Sequence, residues 1–460
     1  MGEEVKSQAK PHVLVLPFPI QGHINPLLQF SKRLISKNVA VTLLTTSSTH
    51  TTILRRASSS LSGRASLPLA FVPLDDGFEE GAPTGATAEY LAMFKNKVSL
   101  SLSDLISSMD PKPAAVVYDS CLPWALDVAR RFGVAGASFF TQSSVVNALY
   151  HHFIEGRFRE FQDEVVLPAM PVLKGGDLPV FLYDRSICPP LHDLICSQFC
   201  NVDEAQFFLV NSFEELEVEI LEWMENVWPV KNIGPTVPSM YLDKRLGDEK
   251  DYGLSLFNPK VDECLTWLDT KPPDSVVYVS FGSLAVLKDD QMNELASGLK
   301  QTGHFFLWVV RETESSKLSS SYLEEISEKG LIVTWSPQLQ VLAHKSVGCF
   351  VTHCGWNSTL EALSLGVPMV GMPQYSDQPT NAKFIEDVWK VGVRAKADKE
   401  GFVTKDEVVR CVGELMEGEK SRDVRRNAEK WRESAKEAVS EGGSSDRNID
   451  EFVAKLWQMK

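Results

Sequence analysis

Two short stretches carry residue types suited to proton transfer. PFPIQGHINP sets His23 just after an apolar run, at a turn that opens a helix, and VVYDS sets Asp119 at the end of another apolar run. Singly, each has an ordinary explanation: a histidine ahead of a helix is commonly a cap or surface residue, and an aspartate closing a strand is commonly a turn residue. Together, at the carboxyl ends of two strands, they would give a general base and the group that orients it. A third stretch, FVTHCGWNSTLEALSLGVP at residues 350–368, reads as strand, glycine-containing turn and helix. A helix start exposes backbone N–H groups and positive potential, which invite an anion. His353 and the Asn357 amide add side-chain donors, and Gly355 permits close approach to backbone. Ser358 to Glu361 also fits a capping box, with Gly366 and Pro368 placed to end the helix. Capping would explain Ser358 and Glu361 without a ligand, but not His353, Gly355, Trp356 and Asn357 in the preceding turn. The combination points to a diphosphate.

Elements that could position these residues alternate along the chain. Strand candidates are His12–Leu16, Val39–Thr46, Ala114–Tyr118 and Val134–Phe140, with helices over Ile24–Ser36 and Trp124–Phe132. Pro26 suits a first helical turn. The order restarts at Val276–Ser280, Phe305–Val310, Leu331–Thr334, Cys349–Thr352 and Met369–Gly371, with a helix near 289–301 and charged helices over 405–440. Strands alternating with helices imply doubly wound parallel sheets. Ser/Thr-rich 45–64 and, more weakly, 172–195 read as mobile loops, and 226–260, with Pro229, Pro235, Pro238 and YLDKRLGDEKDYG, reads as an interdomain connection. The division is then 1–240 for the N-terminal domain, 241–260 for the linker, 261–440 for the C-terminal domain and 441–460 for a last helix, capped by Ser444 or Ser445. Ligands of such sheets bind outside the carboxyl ends of the strands, so a cleft between the domains is the expected site.

Composition narrows the partners. Over 460 residues, 46 basic against 61 acidic side chains leave a net charge of −15, which argues against nucleic acid or an anionic membrane. No apolar run reaches the ~18 residues of a membrane span, and MGEEVKSQAK is neither a secretory signal nor, with Lys6, a myristoylation site. The eight cysteines are scattered without Cys-x-x-Cys, as expected of free thiols in the cytosol. Asp75-Asp76 and Asp289-Asp290 read as solvated turns or caps, so no metal site is expected.

Trp335 to Gln378, WSPQLQVLAHKSVGCFVTHCGWNSTLEALSLGVPMVGMPQYSDQ, resembles the long signature of plant family-1 UDP-glycosyltransferases through WSPQ, HCGWNS, the following Glu, GVPM and the closing Asp-Gln. PFPIQGHINP and VVYVSFGS extend the resemblance over essentially the whole chain. It implies a GT-B fold: two Rossmann-like α/β domains facing each other across a cleft, the first holding acceptor and the second UDP-sugar, with the last helix packing back on the first. It implies that Trp335 stacks on uracil and Gln338 lies near the ribose, whose hydroxyls Glu361 binds. His353, Asn357 and Ser358 would hold the diphosphate with Ser283. Trp356, Asp377, Gln378 and, less directly, Thr141 would face the sugar. Gln378 accompanies glucose donors, which implies UDP-glucose, no metal and no cofactor. His23 and Asp119 match the catalytic pair of an inverting transfer that yields a β-glucoside. Tyr375 departs from the usual Trp beside the sugar and acceptor.

The acceptor pocket is expected from Phe18, Ile20, the loop near Phe78, Phe181, Tyr183 and Phe199, closed by Met372 and Tyr375, each of which could equally be core. It would suit a hydrophobic phenolic, terpenoid or steroid with a hydroxyl or carboxyl; PFPIQGHINPLLQFSKRL and VYDSCLPWALDVAR resemble a subgroup acting on salicylate-type acids, thiohydroximates and such alcohols. A monomer is expected. A nicotinamide-dependent oxidoreductase should carry a glycine fingerprint that is absent here. A silent sugar-nucleotide or metabolite binder remains the alternative, against which both His23 and Asp119 count.

Overall fold

The computed structural model describes residues 9–57, 69–78, 87–247 and 249–459. Its first sheet comprises β1 (His12–Leu16), β2 (Ala40–Thr46), β3 (Ala70–Leu74), β4 (Ala115–Asp119) and β5 (Ala135–Phe140). A small hairpin follows, β6 (Glu164–Val165) with β7 (Leu173–Lys174), then β8 (Phe207–Val210) and β9 (Val230–Asn232). The second sheet contains β10 (Val276–Ser280), β11 (Phe305–Val309), β12 (Gly330–Val333), β13 (Val347–Thr352), β14 (Met369–Gly371) and β15 (Gly392–Arg394). The strand orders are β3-β2-β1-β4-β5-β8-β9 and β12-β11-β10-β13-β14-β15, and every pairing within these two sheets is parallel. These are the two doubly wound α/β units expected from the alternating pattern.

Both faces of the first sheet are covered, so its strands are apolar throughout. Val13 and Val15 point to one face and Leu14 and Leu16 to the other, all at most 1% exposed. The first face packs with Leu27, Leu34 and Phe30, and with Ile449, Phe452 and Leu456 of the last helix, Ser444–Gln458. Asn448 and Ser445 fasten that helix by donating to the backbone oxygens of Asn232 and Gly234. Neither Ser444 nor Ser445 caps it: the cap position is Gly443, and the serines lie inside the first turn.

Several expectations are corrected. The 45–64 segment is not simply a loop: Ser47–Ala57 is helical, with Thr51 and Thr52 hydroxyls donating to the carbonyls four residues back, which satisfies polar groups the composition assigned to solvent. Residues 58–64 lie outside the described residues. The 172–195 stretch contains β7, two 3-10 turns and the helices Val180–Tyr183 and Pro189–Cys196. Edge strands β3, β9 and β15 are too short, or too interrupted by polar residues and proline, to stand out as patterns. Pro26 is not in a first turn: the helix begins earlier, at Gln21–Ser36, and holds Pro26 inside it. Lacking an N–H, Pro26 leaves the Gly22 carbonyl without its helical donor. All eight cysteines are unpaired, and no described helix is long and apolar enough to cross a membrane.

Candidate active site

Between the sheets lies a cleft of about 2060 Å³, lined from both sides. Strands β1 and β4 are neighbours, with Leu16 in register with Tyr118, so the residues just beyond their carboxyl ends meet. The His23 Nδ1 to Asp119 Oδ2 distance is 2.6 Å. Asp119 is fully buried, and its Oδ1 accepts the Cys121 N–H at 3.0 Å. Thr141 Oγ1, after β5, also lies 3.2 Å from His23 Nδ1. With Nδ1 thus engaged, Nε2 is the nitrogen left for a ligand, and the side chain of His23 is 22% exposed. A carboxylate on Nδ1 fixes the tautomer whose Nε2 lone pair can take a proton. Cys121 joins His23 and Asp119 in a cluster whose donor atoms lie within 4.8 Å of one another, which no sequence spacing announced. Burial and the Asp119 charge push the Cys121 thiol well above its ordinary range.

Opposite, β10 and β13 pair with Ser280 in register with Thr352, which brings FGS and HCG together. The imidazole of His353 fits between two glycines: a Cβ on Gly282 would come within 2.8 Å of it and one on Gly355 within 2.5 Å. Gly282 also has φ +70. Burial lowers the pKa of His353 to about 4, so it faces the cleft as a neutral imidazole, and its Nδ1 has no protein partner. Ser283 borders the cleft, its carbonyl held by Arg311 Nη1 at 2.6 Å. The helix runs Trp356–Leu365 from an N-cap at Gly355, with Gly366 in the left-handed conformation at its end. The capping-box reading is therefore overturned: Ser358 and Glu361 lie inside the helix and cap nothing. Glu361 Oε1 instead accepts from the Tyr252 hydroxyl and Oε2 from Gln338 Nε2, each at 2.7 Å. Gln338 Nε2 also donates to Ser358 Oγ, and its Oε1 accepts from Tyr278. Burial raises Glu361 to about 7 against these donors.

Two motif residues have partners across the cleft. Asn357 Nδ2 donates at 2.6 Å to the Gly22 carbonyl that Pro26 leaves free, tying the helix Trp356–Leu365 to the helix bearing His23. Its second N–H remains for a ligand. Trp356, expected at the sugar, borders the cleft but is only 4% exposed, and its indole donates to the Asn211 carbonyl at 2.7 Å. Trp335 lies face to face with Phe257, centroids 3.9 Å apart and planes 16° apart.

The loop before Gln378–Lys383 lines the cleft through Tyr375, Ser376, Asp377 and Gln378. Gln378 Oε1 accepts the Gln374 and Tyr375 N–H groups at 2.8 and 3.0 Å, which fixes the amide and leaves its NH2 toward the cleft. Asp377 does not cap the helix with its side chain; Asn381 donates to its Oδ2 at 2.8 Å. Burial raises its pKa, opposed by that bond. The Val180 N–H donates to Ser376 O at 2.8 Å, securing this loop to the first unit, and Arg394 of β15 pairs with Asp177 at 2.6 Å.

Of the expected acceptor residues, Phe18, Ile20, Phe181 and Tyr375 line the cleft, joined by Cys121, Leu194, Ile195 and Gln198. Three are corrected. Met372 is 1% exposed inside the second unit's core. Tyr183 packs against Phe161, and Phe199 packs against Phe140 and Trp228. Of the loop near Phe78, residues 79–86 lie outside the described residues, and Phe78 itself packs against Tyr90. A short apolar pattern does not tell which way a ring turns. Tyr252 and Phe257 were missed because their segment reads as a charged linker; two aromatics inside it were the available signal.

Residues 221–425 match the family model described as UDP-glucoronosyl and UDP-glucosyl transferase. UDP-glycosyltransferase 74D1 of Arabidopsis thaliana is 71% identical, across 99% of this chain and 100% of the relative. A mogroside I-E synthase of Siraitia grosvenorii is 49% identical, across 97% and 98%. The crystal structure of Os79 from O. sativa in complex with UDP superposes with a TM-score of 0.88 at 40% identity, covering 96% of this chain and 100% of that one. Two parallel-sheet units across a shared cleft, a helix start and aromatic platform on one side and a histidine–aspartate pair on the other, together with full-length identity of this order, establish that the chain belongs to the UDP-glycosyltransferases, enzymes of GT-B fold that use a UDP-sugar and serve plant secondary metabolism.

Proposed function

We propose that the enzyme transfers glucose from UDP-glucose to a hydroxyl or carboxyl of a hydrophobic plant small molecule, a phenolic, terpenoid or steroid, by a single inverting displacement. The observation that carries this is the His23–Asp119 pair, 2.6 Å apart, with the other ring nitrogen directed to a cleft whose far wall is the start of Trp356–Leu365. His23 Nε2 takes the acceptor proton as the acceptor oxygen bonds to the anomeric carbon. The bond from that carbon to the β-phosphate oxygen breaks, and its electron pair leaves with UDP. Asp119 stabilises the imidazolium formed. Attack from the side opposite UDP turns an α-glucoside into a β-glucoside. The helix start with Asn357, Ser358, His353 and Ser283 stabilises the charge growing on the diphosphate. Trp335 receives uracil, Gln338 and Glu361 the ribose, and Asp377, Gln378 and Thr141 the glucose. The apolar wall of Phe18, Ile20, Phe181 and Tyr375 favours a hydrophobic acceptor, in line with a relative named for a mogroside product. The scheme asks for no metal, since hydrogen-bond donors line the diphosphate side; every group it uses belongs to one chain, so a monomer suffices, and unpaired cysteines suit the cytosol.

Incubating the full chain with UDP-glucose, EDTA and a panel of phenolics, terpenoids and steroids tests this. A hexose gain by mass spectrometry, with a β-anomeric coupling by NMR and loss on His23→Ala, is expected. Binding of UDP with no transfer and no hydrolysis would favour a silent binder instead. Wild-type turnover by His23→Ala would sink the mechanism.

A further inference from the structure

The connection between the two sheets is not a passive tether. Its residues 249–258 run along the cleft wall, fastened to the helix that carries His23. Gln21 accepts the Leu256 N–H at 2.6 Å and donates to the Leu254 carbonyl at 3.1 Å. Lys32 donates to the Tyr252 carbonyl at 3.0 Å and pairs with Glu249. Held this way, the segment presents two side chains to the second unit. Phe257 lies flat on Trp335, whose carbonyl accepts the Lys260 N–H at 2.9 Å. The Tyr252 hydroxyl donates to Glu361 Oε1, the oxygen that Gln338 does not hold.

We propose that Tyr252 and Phe257 are positioning residues for the nucleoside half of the donor. This rests on the reading that Trp335 and Glu361 receive uracil and ribose. Phe257 backs one face of the indole, so that a base stacks on the other against a ring that cannot tilt. Tyr252 and Gln338 each take one lone pair of the buried carboxylate and leave each oxygen another for the ribose diol. They also favour its ionised form: burial favours the protonated carboxyl, and both donors oppose that. The groups facing Glu361 are Gln338 and Ser358, Tyr252 and Tyr241 from the connection, and Tyr278 from β10. All are uncharged at neutral pH, so the loss of one hydroxyl is not made good by a cation among them.

The test compares binding of UDP and 2′-deoxy-UDP to the full chain by calorimetry, from about pH 5.5 to about pH 9. Wild type is expected to prefer UDP by roughly tenfold or more at the high-pH plateau, the size of a hydrogen bond to a charged group. Tyr252→Phe should keep a preference at that plateau, but the pH below which the preference is lost should move upward. Phe257→Leu should weaken both ligands alike by roughly two- to tenfold, and Phe257→Tyr should restore them. A wild type indifferent to the 2′-hydroxyl overturns the placement of the ribose on Glu361 itself. A wild type that discriminates, beside a Tyr252→Phe with an unmoved pH profile, overturns the role of Tyr252 alone. A Phe257→Leu that binds UDP as tightly as wild type, or more tightly, overturns the role of Phe257.

Discussion

Replacing Asp119 by asparagine separates orientation of the base from space filling. Asp119 is fully buried and meets His23 Nδ1 at 2.6 Å. Its other oxygen accepts the Cys121 N–H at 3.0 Å, and that donor dictates how an amide would lie. In Asp119→Asn the carbonyl oxygen of the new amide would take the Cys121 N–H, which turns its NH2 toward Nδ1. The imidazole would then have to accept at Nδ1 and carry its proton on Nε2, the nitrogen that must receive the acceptor proton. Asp119→Ala is expected to be milder, because Thr141 Oγ1, 3.2 Å from Nδ1, can accept an Nδ1 proton and preserve the useful tautomer. Breaking a buried charge-assisted pair costs about 3–5 kcal/mol, or roughly 10²- to 10⁴-fold in rate. The alanine variant should fall near the lower figure and the asparagine near the upper, as a wrong tautomer does in a serine protease. The assay is the initial rate of glucoside formation at saturating UDP-glucose, with UDP affinity as a control expected to stay within about twofold. An asparagine variant within about tenfold of wild type, or more active than the alanine, would refute the tautomer argument.

Two further substitutions probe the donor side. Gly282→Ala places a Cβ 2.8 Å from the His353 ring at φ +70. The left-handed backbone alone costs about 1 kcal/mol, so KM for UDP-glucose should rise several-fold and the thermal midpoint fall by about 2 °C; an unchanged KM would show that His353 does not need its slot. Glu361→Gln removes a buried carboxyl whose pKa is raised to about 7. A raised folded-state pKa means stability fully present below the unfolded value, near 4.5, and lost as pH rises through about 7. The glutamine should therefore match wild type near pH 4.5 and exceed it near pH 8, by up to roughly 3 kcal/mol, while binding UDP more weakly; a stability difference independent of pH would contradict the burial of an ionisable group there.

Much of this architecture is written locally. HVLVL, AVVYD and VVYVS are strands because continuous apolar runs between turn residues suit sheets covered on both faces, and their helices follow from the 3.6-residue pattern. His23, in the helix turn beyond β1, Asp119, at the end of β4, and His353, just after β13, were legible for the same reason: the βα order puts a site at the carboxyl ends. Other features were not, because local sequence does not say which distant partner a polar group will find. Ser358 and Glu361 satisfy a capping pattern, yet Glu361 is claimed by Gln338 and Tyr252, the latter 109 residues away. Trp356 belongs to the donor motif, yet its indole answers Asn211, 145 residues back.

The sequence by itself determined the fold class and which residues could act as base, orienter and anion holder, since each depends on spacing along a strand, turn or helix, and its resemblance to a known signature added the UDP-sugar. Tertiary structure decided the rest. It chose which apolar side chains border the cleft, as Phe18 and Tyr375 do, and which, like Met372 and Phe199, pack against core instead. It made the Gly22 carbonyl freed by Pro26 a tie to Asn357, and it turned a charged linker into the wall against Trp335 and Glu361. The reason is that a buried polar group must be satisfied wherever a partner lies, and only packing of the two units against each other brings those partners within reach.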